Sequence, residues 1–600
     1  MTLRRLILAA TSAFALALSA PALAHEQGEP QGRIAAQAEA DARLVALFDA
    51  DQAWSVARTG RSPDGEGGFT AGDRLPRVDP ASQQEAITHA EQMLAQLDLI
   101  PAESLSDENR IHAAVFRTRL ETVLLDGRFR EWEAPFNSDS SFWTYLDERG
   151  FLSTEDDYRR YLARMRDIPR YFAEHEENMR AGLARGFSIP RVTIEGRDTS
   201  ITSFITDPEA SAFYAAFRQM PSNMPAEDQA RLRDEARAVI REVVVPAYEG
   251  LLAFYRTEYL PQTRTTTSAA DLPDGEAYYA AQVRKYTTLD ITPDEVRQIG
   301  LWEVARIQAE MRQTMRDAGF EGSFEDFLHF LRTDPQFYAE TPEELLMVSA
   351  WVAKRVDGRI GDVLGRLPRR RFTIVPVPDA LAPFYTAGRG GLESCQMNTH
   401  NLPSRPLYQI PALTLHECSP GHSLQAALAE EQEAGPEFRR YTYFSGYGEG
   451  WGLYTEWLGV EMGIYRTPYE HFGRLSYEMW RAARLVIDTG LHQQGWSRRQ
   501  AIDYLAAHTA LSQHEVETEV DRYISWPGQA LSYKLGELTI RRLRREAEAA
   551  LGSHFDLRRF HDAILALGSV PLPVLEARIE RFIVDETARV PAPQPADADA

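Results

Sequence analysis

The chain holds 14 histidines, and those at positions 25, 175, 416 and 514 each stand directly before a glutamate. Of these, only His416-Glu417 has another histidine shortly downstream, in Leu415-His416-Glu417-Cys418-Ser419-Pro420-Gly421-His422. Two histidines on one helix face with a glutamate beside the first can serve a zinc hydrolase. The imidazoles chelate the ion, and the carboxylate reaches the water that is to attack. That arrangement needs histidines at i and i+4, whereas here the second stands at i+6. At ~100° per residue, a straight helix would carry His422 about 120° away from the face of His416. Position i+4 is Pro420, which displaces the carbonyl of His416, and Gly421 admits unusual backbone angles. The two histidines therefore meet only if the chain bulges or breaks between them. Otherwise His416 is a core histidine and Pro420-Gly421 merely ends its helix.

A third donor follows in Tyr447-Gly448-Glu449-Gly450-Trp451-Gly452-Leu453-Tyr454-Thr455-Glu456. Glu449 and Glu456 are nearly two turns apart and share a helix face. Each neighbouring glycine weakens a helix by up to about 1 kcal/mol, so glycine is expected where another backbone or a substrate packs close. Glu449 is the expected third ligand and Glu456 its support; a solvent-facing carboxylate pair is the competing reading.

His416 to Gln425 (HExxPGHxxQ), Glu449 to Glu456 (EGWxLYxE), Arg484 to Trp496 (RLVIDTGLHxxGW) and Pro527 to Gly536 (PGQALSYKLG) occur in that order. In these blocks the chain resembles the bacterial family named domain of unknown function 885. That family is similar in fold to the carboxypeptidase Taq family and, more distantly, to angiotensin-converting enzyme, which are helical gluzincins with a deep cleft between two lobes. The resemblance covers most of the chain. It implies a two-residue insertion before Gly421-His422, with Glu449 falling on the third ligand. Cys418 stands where relatives often carry Ala, and Ser423 where they often carry a second His. Neither departure removes a ligand.

A site of two histidines and a glutamate leaves a fourth position for water, the mark of a catalytic rather than a structural ion. One zinc ion is expected, with Glu417 as general base. Tyr533, Tyr523 and His492 are candidate oxyanion donors, Tyr533 being favoured by the resemblance. Arg484, Asp488 and His492 form one helical stripe, in which Asp488 can orient His492; a buried ion-pair network is the alternative. Arg481, Arg484, Arg522 and Lys534 can clamp a substrate carboxylate. Asn398, on a strand before the motif, can bond an extended substrate, and Arg389 in Gly388-Arg389-Gly390-Gly391 can act as a mobile clamp.

The elements that must position these residues read as helices. Thr292-Pro293-Asp294-Glu295 is a capping box with proline in the first turn. Thr341-Pro342-Glu343-Glu344 repeats it, and Ser497 to Gln500 and Ser153 to Asp156 are looser versions. Amphipathic runs follow at 296–315 and 345–356, and a long helical stretch at 225–259 is expected to kink at Pro246. Residues 372–377 and 394–399 read as short strands, the first at an edge because of Pro376. These elements make the expected fold mainly α, and the resemblance implies a large two-lobed helical metallopeptidase-like fold with a deep central cleft. A small sheet or hairpin lies beside the active helix.

Arg4 and Arg5, a short apolar run and Ala22-Leu23-Ala24 read as a secretory signal over residues 1–24. One large catalytic domain is expected over 25–589, opening with a loose arm over 25–36, and a disordered Pro/Ala/Asp-rich tail over 590–600. No other run approaches transmembrane length. The net charge of −23 argues against nucleic acid and anionic membranes as partners. The two cysteines, Cys395 and Cys418, can pair or remain buried thiols, and buried thiols are the preferred reading. The expected protein is secreted, periplasmic in a Gram-negative source, and is a zinc peptidase of carboxypeptidase type acting on peptides or small amides. A metallohydrolase for esters or amino-acid conjugates and a catalytically silent binding protein are the alternatives.

Overall fold

The fold is that of a computed structural model, which describes residues 29–59, 61–63, 69–148, 152–379, 382–432 and 435–589. It is mainly α, with one three-stranded sheet and one short antiparallel ladder, Ser62–Pro63 with Phe69–Thr70. The expected signal over 1–24 and tail over 590–600 lie outside the described residues. Among the described residues no helix is long and apolar enough to cross a membrane.

Local capping chemistry sets several helix starts. Thr292 and Ser497 close full capping boxes with Glu295 and Gln500. Thr341 caps its helix, but the Glu344 carboxylate accepts from the Glu340 N–H instead of closing the box. The box expected at Ser153 starts one residue later, at Thr154 with Asp157. The loose arm expected over 25–36 is corrected: a helix runs Glu29–Thr59. The stretch 225–259 is irregular, since two π-helical segments, Ile240–Val244 and Tyr255–Tyr259, interrupt it and the first lies just before Pro246.

The helix Pro468–His492 is the axis of the C-terminal part. Every residue from Phe472 to His492 is buried, so it is enclosed on all sides. Helix Pro293–Asp317 crosses it closely at Gly300, where a Cβ would lie 2.7 Å from Leu485 Cβ. The buried charges of the axis at Arg474, Glu478, Arg481 and Arg484 are paired, whereas Asp488 meets hydrogen-bond donors instead of a cation. Arg474 meets Glu478 at 2.7 Å, and Lys534 joins Glu478, Glu303 and Glu537 at 2.9, 3.0 and 2.9 Å.

The sheet has the order Thr373–Pro376, Ser394–Met397, Gly388–Gly390. The first pair is parallel and the second antiparallel. Both expected strands form, and Pro376 sits on an edge strand as its missing N–H requires. The Gly388–Gly390 strand, read as a mobile clamp, is the other edge. Two apolar clusters meet at the helix Ile410–Glu417. Leu415 belongs to the cluster that holds Trp451, Tyr454 and Leu543, and Leu413 to the one that holds Met397, Tyr477 and Trp480. Cys395 and Cys418 are joined as a disulfide, which corrects the reading as free thiols.

Candidate metal centre

The helix Ile410–Glu417 stops at Cys418, whose φ of −100° and ψ of −92° leave the helical region, and a new helix starts at His422. The Ser419-Pro420 bond between them is cis. A Cβ at Gly421 would lie 1.8 Å from the His416 carbonyl oxygen, so the backbones approach too closely for any side chain. The required bulge is thus a complete break, and it turns His422 back toward His416, with ring centroids 4.8 Å apart.

The helix Ser445–Glu461 brings the third group. Glu449 Oε2 lies 3.4 Å from His416 Nε2 and 3.3 Å from His422 Nε2, and the donor atoms of all three residues lie within 4.8 Å of one another. The opposite nitrogens are already engaged. His416 Nδ1 donates to Glu456 Oε1 at 2.8 Å, and His422 Nδ1 donates to Gln425 Oε1 at 3.4 Å. Such outer partners fix the ring orientation and direct Nε2 inward. Burial opposes charge on His416, but its bonds to Glu449 and Glu456 outweigh that and raise its pKa to about 9. Burial likewise opposes charge on Glu449, and His422 and His416 overcome it and hold the carboxylate well below its usual range. The cluster thus stabilises a positive charge at Nε2, and a cation can take the proton's place. Two imidazoles and a carboxylate oxygen fit zinc.

The glycines of the Glu449 helix are explained by close approach. A Cβ at Gly450 would lie 2.6 Å from Gly536 Cα, on the helix Ser532–Leu551 that carries Tyr533. A Cβ at Gly452 would lie 2.7 Å from the His416 ring, and one at Gly448 would strike Tyr443. Glu417 lies outside the donor triad, beside the Gly388–Gly390 strand. Its Oε2 accepts the Gly390 N–H at 2.6 Å.

A cavity of about 1130 Å³ opens over the cluster. His416, Glu417, His422, Glu449, Arg389, Arg481, Arg484, Arg522 and Tyr533 all line it. Tyr533 stacks 6.3 Å from the His416 ring, and its oxygen accepts from Arg522 Nη2 at 3.2 Å, which leaves its own proton free to be donated. Arg481 Nε, Arg484 Nη1 and Arg522 Nε are buried without hydrogen-bond partners among the described residues.

The other expected site residues are placed elsewhere. His492 is fully buried, accepting the Ala269 N–H at Nδ1 and donating from Nε2 to the Tyr523 carbonyl, and burial lowers its pKa to about 3. It is a neutral core histidine. Tyr523 is no oxyanion donor, because its oxygen accepts from Trp480 and Arg484 and it bonds Glu519. Lys534 is locked in its three ion pairs and is no substrate clamp. Asn398 spends its amide on the carbonyls of Ala382, Tyr385 and Thr386, fixing a loop instead of meeting a substrate. Asp488 does not orient His492; it accepts from Tyr279 and the Gly528 N–H.

Burial pushes the Asp488 carboxyl up to about 7. The folded state then holds its proton more tightly than the unfolded chain, so this group's contribution to stability falls as pH rises from about 4 to about 7. Asp488→Asn keeps the shape and cannot ionise. Thermal melts should show the variant gaining on the parent across that window, by about 1.4 kcal/mol per unit at most, with no further gain above it. A constant offset from pH 4 to 8 would contradict the assignment.

Sequence reasoning missed three contributors. Gln425 lay in the quoted block without a role, and its i+3 spacing from His422 was the available signal. Tyr443 donates to Glu449 Oε1 at 3.1 Å from the loop before the helix. Tyr385 lines the cavity, hydrogen-bonds Arg389, and is raised to about 12 by burial. Neither tyrosine stands in a recognisable pattern.

The chain belongs to the family of bacterial proteins of unknown function DUF885, whose profile matches residues 63–579. Its fold is similar to the crystal structure of a protein from Colwellia psychrerythraea described as a candidate lipoprotein. That likeness covers 91% of this chain and 99% of the other, with a TM-score of 0.82 and 26% identity. A candidate lipoprotein of unknown function from Shewanella oneidensis is similar over 90% of this chain and 98% of its own, with a TM-score of 0.62 and 17% identity, which bears on the fold alone. No curated protein matches the chain.

Proposed function

We propose that the protein is an exported zinc-dependent hydrolase of the peptidase type, akin to the two-lobed gluzincins. The observation that carries this reading is the convergence of two imidazole Nε2 atoms on Glu449 Oε2, with each Nδ1 already held by a side-chain oxygen. A free-standing ion-pair network has no need to orient both rings. His416, His422 and Glu449 would hold the ion, which supplies Lewis acidity that acidifies water and polarises a carbonyl. Glu417, oriented by the Gly390 N–H, takes the proton of the attacking water and delivers it to the leaving amine. Tyr533 offers its hydroxyl proton to the developing oxyanion.

Arg481, Arg484 and Arg522 supply cationic groups in the wall of the same cavity, which favours a substrate with a free carboxylate end. Carboxypeptidase-type trimming is therefore the preferred form of the activity. The expected leader, and the lipoprotein description of the similar Colwellia psychrerythraea structure, support export.

The test pairs metal analysis of the purified protein with a peptide library that carries free or amidated C-termini. About one zinc per chain, chelator-sensitive cleavage and preference for free carboxylates are expected. Absence of zinc binding, or cleavage indifferent to chelation, would overturn the reading. Turnover of esters but of no amide would move the protein out of the peptidase class.

A further inference from the structure

The disulfide joins the two sides of the catalytic base. Cys418 directly follows Glu417, and Cys395 lies opposite Gly390 in the antiparallel ladder. Gly390 in turn donates its N–H to Glu417 Oε2. A Cβ at Gly390 would lie 2.1 Å from the Glu417 carbonyl oxygen and 2.5 Å from His422 Cβ, so strand and helix end are in backbone contact. Glu417, Cys418, Cys395 and Gly390 thus form a closed circuit of peptide bond, disulfide, ladder pairing and hydrogen bond.

Two of the three donor residues, His416 and Glu449, are held from the opposite side, whereas His422 rests on Gly390 of the edge strand. Glu456, Gly452 and Tyr443 fix His416 and Glu449 through the Glu449 helix and the loop before it, without involving the sheet. The helix bearing the base, by contrast, ends at Cys418, and the edge strand that orients the base is three residues long. Besides the disulfide, the base's end of the helix is tied by the Ser423 hydroxyl, which bridges the Gly391 N–H and the Glu417 carbonyl. Both cysteines are fully buried in the cluster that also holds Leu413 and Tyr477.

We propose that the Cys395–Cys418 disulfide is a positioning element for the Glu417 carboxylate, tuning proton transfer. The proposal rests on the reading of Glu417 as the general base. Displacing a catalytic group by about 1 Å can cost on the order of 10²-fold in rate, and a three-residue edge strand is easily displaced.

The experiment compares the intact protein with the Cys395→Ala/Cys418→Ala double variant, with and without Glu417→Gln. The double variant is expected to lose about 10–100-fold in kcat, with KM and zinc stoichiometry unchanged. In the Glu417→Gln background the same pair of substitutions should have no further effect, because the group it positions is already disabled. An unchanged kcat, or an equal fall in both backgrounds, overturns the proposal. If the double variant fails to melt cooperatively, oxidised and reduced preparations of the native chain are compared, with thiols counted after denaturation. A lower kcat in the reduced form at equal zinc content supports the proposal, and equal kcat overturns it. Failure of the base assignment itself is separately visible, as full turnover by Glu417→Gln with the disulfide intact.

Discussion

Glu417→Gln is expected to bind zinc as the parent does and to lose about 10²–10⁴-fold in turnover, the usual worth of a general base. The separation of the two effects follows from geometry. Glu417 contributes no atom to the donor triad of His416, His422 and Glu449. One oxygen of its carboxylate, Oε2, accepts the Gly390 N–H, and the residue lines the cavity over the triad. Glutamine fills the same volume and can still accept that hydrogen bond through its carbonyl oxygen, so the backbone contact between strand and helix persists. What it cannot do is take up a proton. Steady-state kinetics beside metal analysis of the same preparation decide the matter. Undiminished turnover would remove Glu417 from the mechanism, and loss of zinc would mean that the site is built differently.

The second large effect belongs to His422. Its replacement by Ala removes one of three donors and should weaken zinc binding by more than the roughly 10–100-fold that loss of an outer partner costs. Gln425→Ala, which removes only the acceptor at His422 Nδ1, supplies that smaller reference in the same protein. His422 begins a helix and is partly exposed to the cavity, so Ala is tolerated there and a cooperative melt is expected from both variants. Competition with a fluorescent zinc chelator gives the two affinities. An affinity unchanged in His422→Ala would place the zinc elsewhere, and equal losses in the two variants would make His422 a supporting group instead of a donor.

The parts of this fold that depend on neighbours in sequence were legible from sequence. The capping boxes at Thr292 and Ser497 are closed by side chains three residues away. Glu449 and Glu456 share a helix face by spacing alone, and both reach His416. Pro420-Gly421 announced an interruption, although a full break with a fresh helix start was beyond what the pair of residues specifies. Partner choice on the enclosed axis helix was not legible. Asp488 and His492 are four apart and were read as a couple, yet each turns to a partner on a distant segment. Asp488 meets Tyr279 and His492 meets Ala269, 209 and 223 residues away. On a helix with one wet face such a spacing usually means contact; on a helix buried all round, every direction offers a competing partner. Lys534 failed for the same reason, since only Glu537 among its three carboxylates is near in sequence. The cysteines left both readings open because nothing local says whether a strand and a helix end will meet.

The donor atoms all come from one compact stretch of chain, His416 to Glu449, and the cationic groups Arg389, Arg481, Arg484 and Arg522 join the cavity wall from outside it. On the proposed reading, the metal donors and the cationic part of the wall are therefore written in different parts of the sequence. A lineage can rewrite the wall by substitutions that never touch the donor stretch. That stretch is itself confined by glycines that admit no larger residue at 421, 450 and 452. If the proposed function holds, such a protein can change its diet without relearning its chemistry.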